Sequence, residues 1–339
     1  MKKLFVVVAL VVIASLLVAC TAPPAAQPTA AAAQPAAKPT TAAAAPAAGG
    51  ETYIPVISKG FQHQFWQAVK MGAEKAAADY KVKITFEGPE SESQVDKQVE
   101  MVQAALAKNP KGLALAALDT KALVPQLEKA KSMGIPVVGF DSGVDSDIPI
   151  ATASTNNIAA AAFAADKMAA AIGNEGKIAV IVHDQTSRTG IDRRDGFVKQ
   201  IKEKYPKITI VDVQYGGGDQ LKSSDMAKAI IQSNPDLKGF FGANEGSAVG
   251  VINAVKELNK AGKIVVIGYD AGRLQKAAVK DGLMIGAITQ DPVGIGYKAV
   301  EAVAKAIKGE KVEKNIDTGF KWWDKTNMDS EEMKPLLYD

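Results

Sequence analysis

The 339-residue chain contains one cysteine and two histidines. A lone cysteine closes no internal disulfide, so the hydrophobic core has to hold the fold. Two histidines, His63 and His183, exclude a histidine-rich metal site. Charge of either sign is not in excess: 40 Lys and Arg stand against 37 Asp and Glu, interspersed along the chain. A net charge of +3 without a basic block excludes the electrostatic footprint of a nucleic-acid partner. No run of apolar residues reaches spanning length. The longest, residues 4–19, would be a helix of about 24 Å, short of a hydrocarbon core of about 30 Å.

That run follows Lys2 and Lys3 and ends in Leu17-Val18-Ala19-Cys20. It has the charged and apolar regions of a secretory signal. Its end resembles the bacterial lipobox, which implies cleavage before Cys20 and a lipid on its sulfur. A plain signal or an N-terminal anchor helix is the alternative. Residues 21–50 are almost wholly Ala, Pro, Thr, Gln and Gly, with Lys38 the single charge. Six prolines break any alanine helix there, so a disordered tether is expected between a membrane anchor and the body.

Beyond residue 51 short apolar runs alternate with longer segments of helical period. The expected strands are 53–57, 83–86, 112–116, 136–140, 177–182, 208–213, 239–242, 264–268 and 284–289. Expected helices cover 65–80, 95–108, 123–133, 157–172, 192–204, 224–232, 247–261 and 294–308. Such alternation predicts an α/β protein with parallel sheets covered on both faces. The stretch ending in Gly139-Phe140-Asp141 echoes the one ending in Gly268-Tyr269-Asp270. Each places an aspartate at the carboxyl end of a strand, where open α/β sheets hold ligand groups. Two such sheets predict two similar lobes with a cleft between them; a single barrel remains the alternative.

The polar and aromatic residues that follow these strands are the candidate site. Phe65 and Trp66 follow the loop Lys59–Gly60–Phe61–Gln62–His63, where a flat indole can cover the apolar face of a sugar ring; burial in the core is the other reading. Asp141 and Asp270 can accept hydrogen bonds from neighbouring hydroxyls, or simply cap helices. Arg193, in Asp192-Arg-Arg-Asp-Gly-Phe197, offers a fork of donors. Asn244 and Gln290 each lie at the end of a strand, and an amide both donates and accepts.

Together, Phe65-Trp66, Phe140-Asp141, Arg193-x-x-Gly196-Phe197, Asn244, Gly268-Tyr-Asp270 and Gln290 resemble the ribose-binding-protein type of periplasmic binding protein. These serve sugar ABC importers, and LacI-type repressors share the fold. The resemblance spans about residues 52–325 with its motifs in family order. It implies a type I periplasmic binding protein: two doubly wound parallel-sheet lobes, joined by three crossings, closing on a monosaccharide. The implied N-lobe is 51–155 plus 291–317 and the implied C-lobe 156–290 plus 318–339. Phe65 and Trp66 would stack on the ring, with Asp141, Arg193, Asn244, Asp270 and Gln290 holding hydroxyls. Ser154 and Asn156 fall at an implied crossing. The sequence departs from ribose binders at His63, at Ala116 and at Gly218, where an Asn, an Asn and an aromatic are expected. Tyr215, Asp184, Gln185 or Asp219 could supply substitute contacts.

Enzymatic readings find little support. Gly294-Ile-Gly296 echoes a dinucleotide fingerprint but follows Pro292 and lacks the acidic residue of a next strand. Gly242-Ala-Asn-Glu-Gly246 lacks the lysine of a phosphate loop. Residues 1–50 read as an export signal and a tether with no helix-turn-helix pattern, so a DNA-binding repressor is not expected. The expectation is a non-enzymatic, lipid-anchored, exported monomer that needs no cofactor or metal and delivers a sugar or polyol to an ABC importer permease. A nucleoside or signalling molecule as guest, or a sensor role at a membrane receptor, are the alternatives.

Overall fold

The computed structural model describes residues 52–339. The expected signal, the lipobox Cys20 and the tether 21–50 lie outside the described residues. Twelve strands and nine α-helices are found among those described. The first sheet is built from β1 (Tyr53–Ile57), β2 (Lys83–Glu87), β3 (Leu113–Leu115), β4 (Val137–Phe140), β5 (Ala151–Ser154) and β11 (Asn315–Asp317), in the order β11-β5-β4-β3-β1-β2, all parallel. The second holds β6 (Gly176–Val182), β7 (Ile208–Tyr215), β8 (Leu237–Gly242), β9 (Val265–Tyr269), β10 (Gly286–Gln290) and β12 (Phe320–Asp324). Its order, β12-β10-β9-β8-β6-β7, repeats the first, except that β12 runs antiparallel to β10. The protein is therefore α/β with two doubly wound lobes, and not a barrel.

Helices cover both faces of each sheet. On the first, α1 (Gln64–Tyr80) and α9 (Pro292–Ile307) enclose one apolar layer, built on Ile54, Val56, Val69 and Val300. On its other face, α2 (Val95–Ala107) and α3 (Val124–Ser132) bury Val102, Leu106 and Leu127. On the second sheet, α4 (Asn157–Ile172) and α5 (Arg188–Lys204) cover one face. The other is covered by α6 (Gln220–Ser233), α7 (Glu245–Glu257) and α8 (Arg273–Lys280). Side chains that alternate across a strand are apolar on both faces here, which is why these strands read as continuous apolar runs.

The chain passes between the sheets three times: from β5 into α4, from β10 into α9, and from β11 into β12. Two of these passages are tied together, Thr318 N donating to Ser154 O at 3.1 Å and Thr155 Oγ1 to Gly319 O at 3.2 Å. Strands β5, β11 and β12 and helix α8 had no counterpart among the sequence expectations. Each is short, and β5 and β11 are Ala-Thr-Ala-Ser and Asn-Ile-Asp, without a β-branched or aromatic run to mark them.

The echo of a dinucleotide fingerprint at Gly294 and Gly296 has a packing role. A Cβ on Gly296 would lie 1.9 Å from Val69 O, and one on Gly72 would lie 1.9 Å from Val293 O. The α1–α9 contact is thus backbone against backbone. Gly296→Ala is expected to lower unfolding free energy by about 1–3 kcal/mol, because the clash outweighs the gain in helix propensity of about 1 kcal/mol. Urea denaturation checks it; an unchanged midpoint would show that the helices can separate freely.

Candidate functional site

The carboxyl ends of the two sheets face a common cavity lined by Lys59, His63, Phe65, Trp66, Glu92, Asp141, His183, Arg193, Asn244, Asp270 and Gln290. Lys59 and His63 sit between β1 and α1, Phe65 and Trp66 open α1, Glu92 lies between β2 and α2, and Asp141 follows β4. From the second lobe His183 follows β6, Arg193 lies on α5, Asn244 and Asp270 follow β8 and β9, and Gln290 ends β10. A doubly wound sheet exposes its strand ends at this edge, so both lobes present side chains there.

Asp141 and Asp270 are equivalent in backbone as well as in place. Both have positive φ, +53° and +78°. In each the N–H donates to a carbonyl of the next strand over, Ala153 O at 2.9 Å and Ile288 O at 2.6 Å. Non-glycine residues rarely adopt this conformation, though aspartate tolerates it better than most, and such strain clusters where side-chain direction matters.

Charge dominates the lining. Lys59 Nζ donates to Thr189 Oγ1 at 2.9 Å and lies 3.5 Å from Asp141 Oδ2 and 3.9 Å from Glu92 Oε2. Burial acts to deprotonate Lys59, but Glu92, Asp141 and Asp184 outweigh it and hold the ammonium above its ordinary pKa. Glu92, although buried, is kept below the usual glutamate value by the Lys59 ammonium and by a 2.7 Å hydrogen bond from Trp66 Nε1. Asp141 moves the other way. Burial lifts its carboxyl, and Lys59 and Arg193 offset only part of that. His183 is held well below its ordinary value by burial and by the cations Lys59 and Arg193, so it is neutral.

Arg193 is fixed from three sides. Nε donates to Asn157 Oδ1 at 2.8 Å, Nη1 to Ala243 O at 2.9 Å, and the guanidinium lies over the Tyr269 ring at 3.7 Å. Tyr269 Oη donates to the same Asn157 Oδ1, so a residue at the first passage between lobes orients the site's arginine. Gln290 Nε2 donates to Asp270 Oδ1 at 2.8 Å, and Asn244 Oδ1 caps α7 by accepting from Ser247 N. Buried side-chain atoms at this cavity without a hydrogen-bond partner are His63 Nδ1, Asp141 Oδ2, His183 Nδ1 and Gln290 Oε1.

The structure brings together Phe65, Trp66, Asp141, Arg193, Asn244, Asp270, Gln290 and His63, all named from the sequence. Phe65 and Trp66 meet edge to face at 5.0 Å and also close the first lobe's core, so they serve as core and cavity wall at once. Ser154 and Asn156 line a neighbouring groove that shares Asp141, and Asn156 caps α4. Tyr215 Oη accepts from Arg194 Nη1, and Asp184 is taken up by the N–H groups of Thr186 and Ser187. Neither of the last two lines the cavity. Sequence reasoning missed Lys59 and Glu92 as site residues and treated His183 only as too few for a metal. Glu92 carries no local signal, but Lys59 lies two residues past the first strand, next to the position that marked Asp141.

A closed polar chamber between two doubly wound lobes, walled by aromatics on one side, defines a ligand-trapping protein. Residues 54–311 match the family model for the periplasmic binding protein domain, and the chain belongs to that family of binding proteins. The D-allose-binding periplasmic protein of Escherichia coli is 30% identical over 265 residues, which cover 76% of this chain and 85% of that protein. The ribose import binding protein of Bacillus subtilis is 28% identical over 262 residues, 76% and 82% of the two chains. Among solved structures, an ABC transporter solute binding protein from Agrobacterium vitis with bound D-fucose is 39% identical. It superposes with a TM-score of 0.82 over 84% of this chain and 100% of that one.

Lys59 is expected to be structurally indispensable to the closed chamber. Lys59→Met leaves Glu92 and Asp141 buried without their cation, at a cost of about 3 kcal/mol near neutral pH. Glu92 is held low in the native protein, so its contribution is present at neutral pH and fades in acid. Without Lys59 burial raises it instead, so the deficit should shrink as pH falls. Urea unfolding of both proteins at neutral and mildly acidic pH checks this, and a deficit that is constant across pH would count against it.

Proposed function

We propose that this protein is an extracytoplasmic solute-binding lipoprotein that captures a neutral monosaccharide or related polyol by lobe closure and delivers it to an ABC importer. The carrying observation is the chamber itself: carboxylates, amides and a fixed guanidinium from both lobes converge opposite Phe65 and Trp66. A sugar presents hydroxyls at its rim and C–H groups on its faces, which is the pattern this lining complements. Asp141 Oδ2, which is ion-paired with Lys59 but accepts no hydrogen bond, and Gln290 Oε1 are acceptors suited to hydroxyl donors. The D-allose and D-fucose named for the relatives support the sugar class. The lobes would be residues 51–155 plus 291–317 and 156–290 plus 318–339, swinging about the three passages. In the open form each lobe keeps only its own contacts, so the guest gains its full set on closure alone. Cys20 would carry the lipid that holds this otherwise tethered body at the membrane, facing the periplasm or cell exterior.

Two measurements test the reading. Calorimetric titration with pentoses, hexoses and polyols should find at least one tight ligand, and Asp141→Ala and Arg193→Ala should each weaken it by about 10- to 100-fold. Unaltered affinity in both variants would remove these residues from the site. The ionised Asp141 is the acceptor, and its carboxyl titrates above its ordinary 3.8. Affinity should therefore drop on acidification before ordinary carboxylates titrate, and Asp141→Asn should flatten that profile. A wild-type profile that stays level down to the ordinary range would mean that Asp141 does not hold the ligand. Labelling of Cys20 by fatty acid in cells, abolished by Cys20→Ser, checks the anchor.

A further inference from the structure

The first turn of α1 has an N-cap, His63, that makes no side-chain cap hydrogen bond, and it contains no acidic residue of its own. Its acceptor comes from the other lobe. Glu245, the first residue of α7, accepts from Gln64 N at 3.3 Å and Phe65 N at 3.2 Å through its two carboxylate oxygens. The exchange is reciprocal. Helix α8 begins after Gly272, which has no side chain to cap it, and Gln64 Oε1 reaches across to accept from Arg273 N at 2.8 Å. Each lobe thus caps a helix of its partner. Glu245 N in turn donates to Asp270 Oδ2 at 2.9 Å, linking this pair of caps to the cavity.

The seam is built for that approach. A Cβ on Gly272 would stand 2.9 Å from the Glu245 carboxyl carbon and 3.0 Å from Gln64 Oε1. The backbone there, at φ −71°, is one that alanine adopts without strain, so glycine answers to space and not to conformation. Gly246 is tighter still, since its Cβ would meet Gly218 O at 1.9 Å and His63 Cε1 at 2.7 Å.

We infer that Glu245 is a positioning residue for capture: with Gln64 it forms an interlobe double cap that holds a sugar-independent closed population and slows ligand escape. Neither Glu245 nor Gln64 lines the cavity. When the lobes part, four N–H and carboxylate groups return to water together, so the caps exist only in the closed form. One of the two backbone N–H groups that Glu245 holds belongs to Phe65, a residue of the aromatic wall.

The test uses the full chain carrying Cys20→Ser, with spin labels on cysteines introduced at Gln103 and Lys222, exposed positions on α2 and α6. Interlobe distances are read without ligand and during titration with D-fucose and D-allose. Ligand-free protein should show a short-distance population that Glu245→Ala and Gly272→Ala remove and Glu245→Gln partly restores. Loss of such a cap should also raise the titration midpoint by about 3- to 30-fold, through faster dissociation with an unchanged association rate. Thermal unfolding of each variant should stay close to that of the parent, which separates latching from folding. Ligand-free distributions identical across the parent and both variants would overturn the latch. Failure of either sugar to close the parent would count against the sugar reading alone, because the ligand-free distances report on the latch without it.

Discussion

Six carboxylate, ammonium and guanidinium side chains meet where the two lobes face each other, and every one of them is almost fully buried: Lys59, Glu92, Asp141, Arg193, Glu245 and Asp270. Charge taken out of water is tolerable only when other groups replace the lost hydration. Here those groups come from both lobes. Lys59 from the first lobe donates to Thr189 of the second, while Glu245 of the second accepts from Gln64 and Phe65 of the first. Lys59, Glu92 and Asp141 also pair within the first lobe, and Arg193 and Asp270 are held within the second, so closure completes an electrostatic arrangement that each lobe begins.

The repeated topology explains how such a site arises without a complex blueprint. Both sheets run in the order 2-1-3-4-5, and both therefore put a strand followed by a positive-φ aspartate at the seam. The loops then diverge. The first lobe contributes the aromatic wall and Lys59, the second contributes Arg193, Asn244 and Gln290. A guest with an apolar face and a hydroxylated rim fits that division, since dispersion is supplied from one side and directional hydrogen bonds from the other. The neutral His183 extends the polar side without adding charge.

Much of this was legible in the sequence because the signals were local. Strands buried on both faces show as apolar runs, and side chains at their carboxyl ends face the cleft by topology alone. Asp141, Asn244, Asp270 and Gln290 all satisfy that rule. Arg193 was legible beside Arg194 through helical phase, since Gly190, Arg193, Phe197 and Ile201 share one buried stripe of α5. Glu92 was illegible because it lies in a polar loop whose path is set by Gln62 Oε1, which accepts from Glu92 N at 2.9 Å. Ser154 and Asn156 were placed at a passage between lobes, and their side chains face the neighbouring groove instead of the chamber. Which way a hinge residue turns depends on the pairing of β5 with β11, a strand of three residues that leaves no periodic trace.

Two of the three departures from the ribose-binder pattern, His63 and Gly218, form one coupled change. Where an aromatic is expected in the second lobe stands Gly218, and where an asparagine is expected in the first stands His63. A Cβ on Gly218 would sit 3.1 Å from His63 Nε2 and 3.0 Å from Gln62 Nε2. The imidazole thus uses the room that a larger residue at 218 would need, and it meets Asn244 Nδ2 at 3.5 Å. Gly218 also has a φ of +69°, which a bulky side chain would strain. An aromatic plate on that side is thereby exchanged for a smaller ring that carries hydrogen-bonding nitrogens. The aromatic rings that line the cavity are then Phe65 and Trp66 of the first lobe, and the opposite wall is polar. On the proposed reading such a chamber would discriminate by the positions of hydroxyls more than by the stacking of a flat ring, which is the physical ground for preferring a polyhydroxylated guest to a nucleobase.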